Sequence, residues 1–172
     1  MMQSLFNETA DLISTLLQSD EQFTSTFSGE ESEFVRFNKA KVRQAGEVTQ
    51  RSISVDLIQG KRHAMGTFSL TGDRELDLAV LRAGLRRLRT TRDSLPEDPY
   101  LLFSNEVASS VTTHVNKLPK GADATDAIAA GAGDKDLVGI YASGGTFHGF
   151  ANSFGQRNWY ENYSYNLDWS FY

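Results

Sequence analysis

The last fourteen residues of the chain alternate strictly between two kinds of side chain. The odd positions from 159 to 171 are large and mostly apolar or aromatic: Trp159, Glu161, Tyr163, Tyr165, Leu167, Trp169 and Phe171. The even positions are mostly small and polar. A period of two is typical of a β-strand with one buried and one solvated face, because successive side chains point to opposite sides. We therefore expect one long strand whose odd face, including Trp169, is buried.

Turn signals divide the segment that precedes this strand. Gly144-Gly145 has the composition of a two-residue hairpin turn, and Gly155-Gln156 marks a second turn. We therefore expect three antiparallel strands, at 137–142, 146–153 and 159–171. Together they would form an aromatic meander over residues 136–172.

The rest of the chain mixes helical and strand patterns. Apolar residues recur at helical spacing over 4–18 and 73–92, and an alanine-rich segment, 123–132, begins with the candidate N-cap Asp123. Three segments have the pattern of β-strands: 34–37, 53–57 and 64–70. Turns are expected between them at 45–46 and 60–61. The chain is therefore expected to be α+β, with antiparallel β-sheets and packing helices. Strands and a helix occur both before and after Pro96–Pro99, which indicates a crude internal duplication.

The order of these elements gives an expected domain organisation. Residues 1–95 form a helix–β-meander–helix unit, 96–135 a linker with a short helix, and 136–172 the aromatic meander. The three parts are expected to make one compact domain. Because the most strongly patterned strand comes last, we expect the chain to be the N-terminal half of a longer protein.

Composition narrows the classes of function. The chain has 22 acidic and 17 basic residues, a net charge of -5, which disfavours a nucleic-acid-binding surface. It has no cysteine, which excludes disulfides, a thiolate nucleophile and cysteine zinc ligands. No apolar run approaches the ~18 residues that span a membrane, and the N-terminus lacks signal-peptide features. We expect a cytoplasmic protein without a membrane partner.

The sequence contains no recognisable catalytic or metal-binding motif. Its three histidines, His63, His114 and His148, stand alone, and none belongs to an HExxH pattern. The arginines at the end of the 73–92 helix complement the helix dipole. No catalytic residue and no metal ligand is predicted.

Two polar stretches, 36–50 and 148–159, carry more hydrogen-bonding side chains than a core requires. The candidate substrate- or partner-binding residues in them are Arg36, Asn38, Arg43, Gln44, Gln50, His148, Asn152, Gln156 and Arg157. Such side chains can hydrogen-bond a peptide backbone or a partner chain. They can equally cap loops and turns. The residue types alone leave both interpretations open.

The same stretches, taken in order, resemble the TldD/PmbA family, which is also labelled as modulators of DNA gyrase. The resemblance is carried by five segments: 33–38 (EFVRFN), 42–46 (VRQAG), 137–141 (LVGIY), 149–153 (GFANS) and 155–157 (GQR). It runs in register from about residue 5 to the end of the chain. It covers only the N-terminal half of a family member.

The resemblance implies a cytosolic, dimeric protein associated with zinc-dependent proteolysis, including microcin maturation and antitoxin turnover. The family's zinc ligands lie in an HExxxH motif and a later cysteine of the TldD-type subunit. This sequence has neither, so no metal ligand can be carried over. Zinc is expected only in a catalytic half or a partner outside this chain. No activity is expected from this chain alone.

The resemblance therefore implies a non-catalytic N-terminal module, more like the PmbA type, that contributes to dimerisation and to a peptide chamber. Its expected partners are a second copy or a family paralogue, with a peptide or unfolded protein as the substrate. One alternative is a stand-alone module that binds proteins or peptides through a sheet edge. A gyrase modulator with a nucleic-acid contact ranks last because of the acidic balance.

Overall fold

One mixed sheet with three helices makes up the computed structural model, which describes residues 2–172. The elements are α1 (Met2–Leu16), β1 (Gln22–Asn38), β2 (Lys41–Gln59), β3 (Arg62–Ser69), α2 (Arg74–Ser94), β4 (Ser110–Thr112), α3 (Gly121–Ala132), β5 (Leu137–Asn152) and β6 (Arg157–Phe171). Within these residues the sheet has six strands in the order β3-β2-β1-β5-β6-β4. β2 and β3 are antiparallel, whereas β4 is parallel to β6. The predicted α+β class is confirmed.

The chain divides into two compact units. Unit 1 comprises Met1–Gly29, Gln50–Thr112 and Phe147–Tyr160. Unit 2 comprises Glu30–Thr49, Thr113–Thr146 and Glu161–Tyr172.

The core of unit 1 is built from alternate strand positions and the apolar faces of α1 and α2. Fully buried side chains come from four elements: Phe6 and Ile13 on α1, Phe23 and Phe27 on β1, Ile53, Val55 and Leu57 on β2, and Leu81 and Leu85 on α2. Trp159 of β6 stacks on Phe6 and Phe147, with ring centroids 5.6 and 6.2 Å away. This aromatic cluster accounts for the burial of the first odd position of β6.

α2 begins and packs as its sequence dictates. Asp73 is its N-cap, and the carboxylate accepts hydrogen bonds from the amides of Glu75 and Leu76. Gly84 lets the helix approach β3, because a Cβ at this position would overlap the Phe68 ring. No helix of residues 2–172 is long and apolar enough to cross a membrane.

A buried carboxylate joins the end of α2 to the start of β1 in unit 1. Glu21 accepts hydrogen bonds from Arg89 at 2.7 Å and from Arg92 at 2.8 Å. Only 2% of the Glu21 side chain is exposed. These two arginines belong to the group that the sequence assigned to the helix dipole, and the structure gives them this specific ion pair. Such a network is stable only when its charges and hydrogen bonds are mutually satisfied.

Unit 2 has a smaller core beneath α3. Val35 and Phe37 of β1 and Leu137 and Tyr141 of β5 pack with small residues of α3, and Leu167 of β6 is partly buried against them. Because α3 contributes only Ala124 and Ala132 as buried side chains, it covers the sheet thinly.

The start of α3 differs from the prediction. The helix begins at Gly121, two residues before the expected N-cap Asp123, and its N-cap Lys120 makes no side-chain hydrogen bond. The carboxylate of Glu33 lies instead at Gly121, where an added Cβ would be 2.5 Å from Oε2. Ser143 donates a hydrogen bond of 3.2 Å to the same carboxylate. A carboxylate from another strand therefore complements the positive end of the helix dipole.

Two predicted glycine turns were wrong. β5 continues through Gly144-Gly145, so residues 136–172 form two long strands and not a three-stranded meander. β2 likewise continues through Ala45-Gly46. These glycines serve close packing, because a Cβ on Gly144 would overlap Glu31 and Ser32, and one on Gly46 would lie 2.8 Å from the Phe34 ring. The true turn after β1 is Lys39-Ala40, with φ of 53° and 54°.

The expected burial of the whole odd face of β6 was also wrong. Trp159 is only 3% exposed, but Trp169 is 51% exposed and Tyr165 is 65% exposed. Alternation fixes which side chains share a face, but burial needs a second layer over that face. In unit 1, α1 places Phe6 over Trp159, whereas in unit 2 the short alanine-rich α3 leaves Trp169 half uncovered.

We predict that the Glu21 ion pair makes unit 1 sensitive to acid. Burial alone raises the pKa of Glu21, but hydrogen bonds from Arg89 and Arg92 outweigh it and lower the pKa from 4.5 to about 2. A lowered folded-state pKa gives stability that is complete above pH 4.5 and is lost as the pH falls toward 2. The expected contribution is roughly 3 kcal/mol, measured as the free energy of unfolding in urea.

The variant Glu21→Gln should be less stable at pH 7 and should lack this acid-dependent loss. The matched control is Glu75→Gln, an exposed carboxylate near the start of α2, which should leave the pH profile close to that of the wild type. A Glu21→Gln profile parallel to the wild-type profile between pH 4.5 and 2 would contradict the assignment.

We predict that the two tryptophans differ in their contribution to stability. Trp159→Ala empties a site enclosed by Phe6, Phe27 and Phe147 and should cost about 3–5 kcal/mol. Trp169→Ala removes a half-exposed side chain and should cost less than half of that. Urea unfolding followed by circular dichroism in dilute solution measures both. Equal shifts of the two midpoints would argue against the observed burial.

Candidate functional site

The first polar stretch forms an exposed hairpin tip in unit 2. The tip, here the β1–β2 tip, consists of Arg36 and Asn38 on β1 and Arg43 and Gln44 on β2, all exposed around the Lys39-Ala40 turn. Four side chains that the sequence singled out are thus brought to one end of a hairpin.

Arg36 is held in place at this tip by two neighbours. Its Nη1 donates a 3.3 Å hydrogen bond to Oε1 of Gln44. Its guanidinium lies 5.7 Å from the centre of the Phe34 ring, within range of a cation–π interaction. A stacked guanidinium keeps most of its N–H groups available, so Arg36 can donate to a further acceptor. The binding role of the tip stays a prediction.

The second polar stretch lies in unit 1, and its side chains hold a turn. Asn152 is buried, and its Oδ1 accepts hydrogen bonds from the amides of Phe154 and Gln156, both at 3.0 Å. Arg157 donates to the carbonyl oxygens of Asn152 and Gln156 and to the Asp11 carboxylate. These contacts form the β5–β6 turn that Gly155 was expected to mark.

Gln156 also helps to fasten β4 beside β6. Its Nε2 donates to Oδ1 of Asn158 at 2.7 Å, and Nδ2 of Asn158 donates to the Ala108 carbonyl and to Ser110 Oγ, both at 2.8 Å. Asn158 was not singled out from the sequence, because an asparagine before a strand is a common turn residue. The two remaining candidates, Gln50 and His148, are exposed in unit 1.

Two of the three histidines, His63 and His114, make structural contacts in the described chain. Nδ1 of His63 lies 3.0 Å from both carboxylate oxygens of Asp56, and its Nε2 lies 3.6 Å from Asp98. Nδ1 of His114 donates to the Glu161 carbonyl at 2.7 Å. Within residues 2–172, no three His, Asp or Glu side chains are grouped to hold a metal ion.

The outer edge of β6 forms a second candidate surface in unit 2. β4 pairs with β6 only between Ser110–Thr112 and Asn158–Tyr160. Beyond Tyr160, no other strand of residues 2–172 lies on that side of β6. The segment 113–118 instead borders a groove of about 670 Å³ whose other wall is β6 at 162–165. We call residues 164–171 the β6 edge.

Aromatic side chains make the β6 edge apolar. Tyr165, Trp169 and Phe171 are 65%, 51% and 40% exposed. The Trp169 and Phe171 rings meet edge to face with centroids 4.8 Å apart, and Nζ of Lys135 lies 5.0 Å from the Phe171 ring. Exposed strand edges and clustered aromatic side chains both favour contact with another chain.

The ionisable carboxylates of the strand itself are negative, whereas Lys135 lies beside Phe171. Residues 161–171 carry two ionisable carboxylates, Glu161 and Asp168, and no basic residue. Burial raises the pKa of Tyr163, and the negative charges of Glu161 and Glu31 raise it further. A binding partner at this edge must therefore tolerate negative charge.

Comparison with known proteins identifies the fold. No family model and no curated protein sequence matches the chain. Solved structures with a similar fold include a candidate modulator of a DNA gyrase from Thermotoga maritima, with a TM-score of 0.59 and 10% identity over 94% of this chain and 38% of that one. A candidate modulator of DNA gyrase from Bacteroides thetaiotaomicron gives 0.57 and 16%, covering 98% and 40%. TldE from Thermococcus kodakarensis gives 0.57 and 10%, covering 96% and 42%.

These values confirm the expected resemblance at the level of the fold. The chain spans about two-fifths of the length of the proteins it matches. At 10–16% identity, the likeness establishes a shared chain path and leaves activity to be argued from the residues.

Proposed function

We propose that this chain is a non-catalytic module of a TldD/PmbA-type, metal-dependent peptidase assembly. The observation that carries the proposal is the fold, which matches TldE over 96% of this chain. The ordered segments from 33–38 to 155–157 that resemble the family add support. In this role the module contributes to a dimer and to the wall of a chamber for peptide substrates. The catalytic zinc belongs to a part of the assembly outside this chain.

The β1–β2 tip supplies side chains suited to peptide binding. Arg36 and Arg43 carry fixed positive charge and several N–H donors, while Asn38 and Gln44 can both donate and accept. Peptide backbones offer carbonyl acceptors and amide donors whatever their sequence. Exposed groups of this kind therefore fit an unfolded chain or peptide without demanding a particular side chain.

No reaction step is assigned to this chain. The family's HExxxH motif and later cysteine have no counterpart in the sequence. His63 has Asp56 on one ring nitrogen and Asp98 near the other. That arrangement ties the β2–β3 hairpin to the segment after α2, which is a structural use of a histidine.

A stand-alone peptide-binding module is the second candidate function. The observation that favours it is the β6 edge, where an extended peptide could add as a further strand. The two candidates differ in the surface they use. Peptide binding that depends on the β1–β2 tip favours a chamber wall, whereas peptide binding that depends on the β6 edge favours the stand-alone module.

We predict that the purified, untagged chain binds no stoichiometric zinc and hydrolyses no peptide. A structural or catalytic zinc site needs three or four protein ligands of suitable spacing. Metal analysis after dialysis against zinc measures the first property, and a fluorogenic peptide assay measures the second. About one zinc per chain together with zinc-dependent hydrolysis would overturn the non-catalytic role.

We predict that the β1–β2 tip contributes to peptide affinity. The double variant Arg36→Ser/Arg43→Ser should weaken binding of a fluorescently labelled unstructured peptide by roughly tenfold or more, because two charged donors are lost. Fluorescence anisotropy is the measurement. The matched control is Arg82→Ser/Arg86→Ser, which removes the same charge from the exposed face of α2.

The control separates a local contact from a general effect of charge. Equal losses in both double variants would indicate nonspecific electrostatics, and an unchanged affinity of the tip variant would remove the tip from the binding site. Urea midpoints of all variants should stay near the wild-type value, since the four arginines are exposed.

A further inference from the structure

A cavity of about 670 Å³ lies in unit 2, between the β1–β2 hairpin and the first turns of α3. It is bordered by residues 33–35, 42, 45–47, 121–122 and 125–126 and is here called the α3 cavity. Its volume falls within the range of about 300–1,000 Å³ that is typical of sites for small ligands. Val42 at its border precedes Arg43 of the β1–β2 tip, and the ring of Phe34 lies 5.7 Å from the Arg36 guanidinium. A peptide held at the tip can therefore place a neighbouring side chain in this cavity.

Much of the wall of the α3 cavity is apolar. The apolar side chains that border it are Phe34, Val35, Val42, Ala45 and Ala122. The Phe34 ring lies against Gly46, where an added Cβ would be 2.8 Å from the ring, and Val42 is 51% exposed. The alanines on β2 and α3 are too short to fill the space between the two elements. Walls of this kind can pack against the methylene groups of a long side chain.

Carboxylates from three different elements surround this apolar space. Glu33 lies on β1, Glu47 on β2 and Asp126 on α3, and no basic side chain borders the α3 cavity. Ser143 fixes Glu33 by a hydrogen bond of 3.2 Å, whereas Glu47 and Asp126 are exposed. A carboxylate has about four acceptor positions, so Glu33 can accept further hydrogen bonds. The cavity therefore combines apolar walls with negative charge on several sides.

A second cavity of unit 2 adjoins the first and keeps the negative balance. It has a volume of about 470 Å³ and shares Glu33 and Glu47 with the α3 cavity. Its wall adds Glu31 and one basic residue, Lys120. The two cavities together are thus bordered by four carboxylates and one ammonium group. A positively charged group is favoured there, and a negatively charged group is repelled.

We propose that the α3 cavity binds a lysine or arginine side chain of a peptide held at the β1–β2 tip. This inference rests on the proposed function and names the class of peptide that the module selects. Lysine and arginine join an apolar stem to a positive end, which matches apolar walls surrounded by carboxylates. The stem packs beside Val42 and Ala122, and the charged end donates hydrogen bonds to Glu47 and Asp126. The tip binds any peptide backbone, and the cavity adds the preference for a basic side chain.

Three labelled, unstructured peptides that differ at one central position test this preference. The position holds lysine, norleucine or glutamate, and the rest of each peptide is uncharged with blocked ends. Norleucine has a similar apolar stem without the charge, so its comparison with lysine isolates the contribution of the carboxylates. Fluorescence anisotropy with the full chain should show the lysine peptide binding roughly tenfold more tightly than the norleucine peptide. The glutamate peptide should bind most weakly.

Two double variants assign the preference to the α3 cavity. Glu47→Gln/Asp126→Asn removes two of its charges and should bring the affinities of the lysine and norleucine peptides close together. The matched control, Glu75→Gln/Asp134→Asn, removes two carboxylates that are exposed outside the cavity, and should keep the preference. All four positions are exposed, so urea midpoints should stay near the wild-type value and show that both variants fold.

Each other outcome overturns the inference in a distinguishable way. Equal affinities for the lysine and norleucine peptides, both lowered by Arg36→Ser/Arg43→Ser, would refute the cavity's role and leave peptide binding at the tip intact. A preference that both double variants reduce equally would reflect the overall charge of the chain, and would also refute the cavity's role. Binding of none of the three peptides would refute both this inference and the peptide-binding part of the proposed function.

Discussion

Backbone hydrogen bonding along four long strands is the constraint on which the rest of this structure depends. β1, β2, β5 and β6 have 15 to 19 residues each, against a usual strand length of about five or six. Long neighbouring strands can stay in register only where side chains do not force them apart. Gly144 and Gly46 meet this requirement, since a Cβ at either position would collide with a neighbouring strand or ring. Glycine here permits strand pairing and does not end it.

A long sheet creates more apolar face than the helices can cover evenly. In unit 1, α1 and α2 supply large buried side chains such as Phe6, Leu81 and Leu85. In unit 2, α3 supplies mainly alanines, and the odd face of β6 stays half exposed. The same alternation thus yields a core residue at Trp159 and a half-exposed residue at Trp169.

The candidate binding residues fall into two groups that differ in their hydrogen-bond partners. Three of them form hydrogen bonds within the β5–β6 turn or to the segment before β4: Asn152, Gln156 and Arg157. This agrees with the loop-capping interpretation. Arg36 and Gln44 bond to each other at an exposed tip and keep further donors available. Residue type could not distinguish these cases, because the same amide or guanidinium serves either purpose. Whether such a side chain holds a turn or stays available for a partner depends on which carbonyl groups the fold places near it.

The sequence by itself determined the α+β class, the helix over 73–92, the strand period of β6 and the grouping of its aromatic residues on one face. These features depend on local geometry, since side-chain direction along a strand or helix follows from the backbone repeat. Only the tertiary structure decided the burial of Trp159 and the exposure of Trp169, the role of Gly144, and the pairing of Arg89 and Arg92 with Glu21. Each of these depends on which distant segment packs against the residue. That packing reflects the combined burial and hydrogen bonding of the whole sheet, which no local pattern encodes.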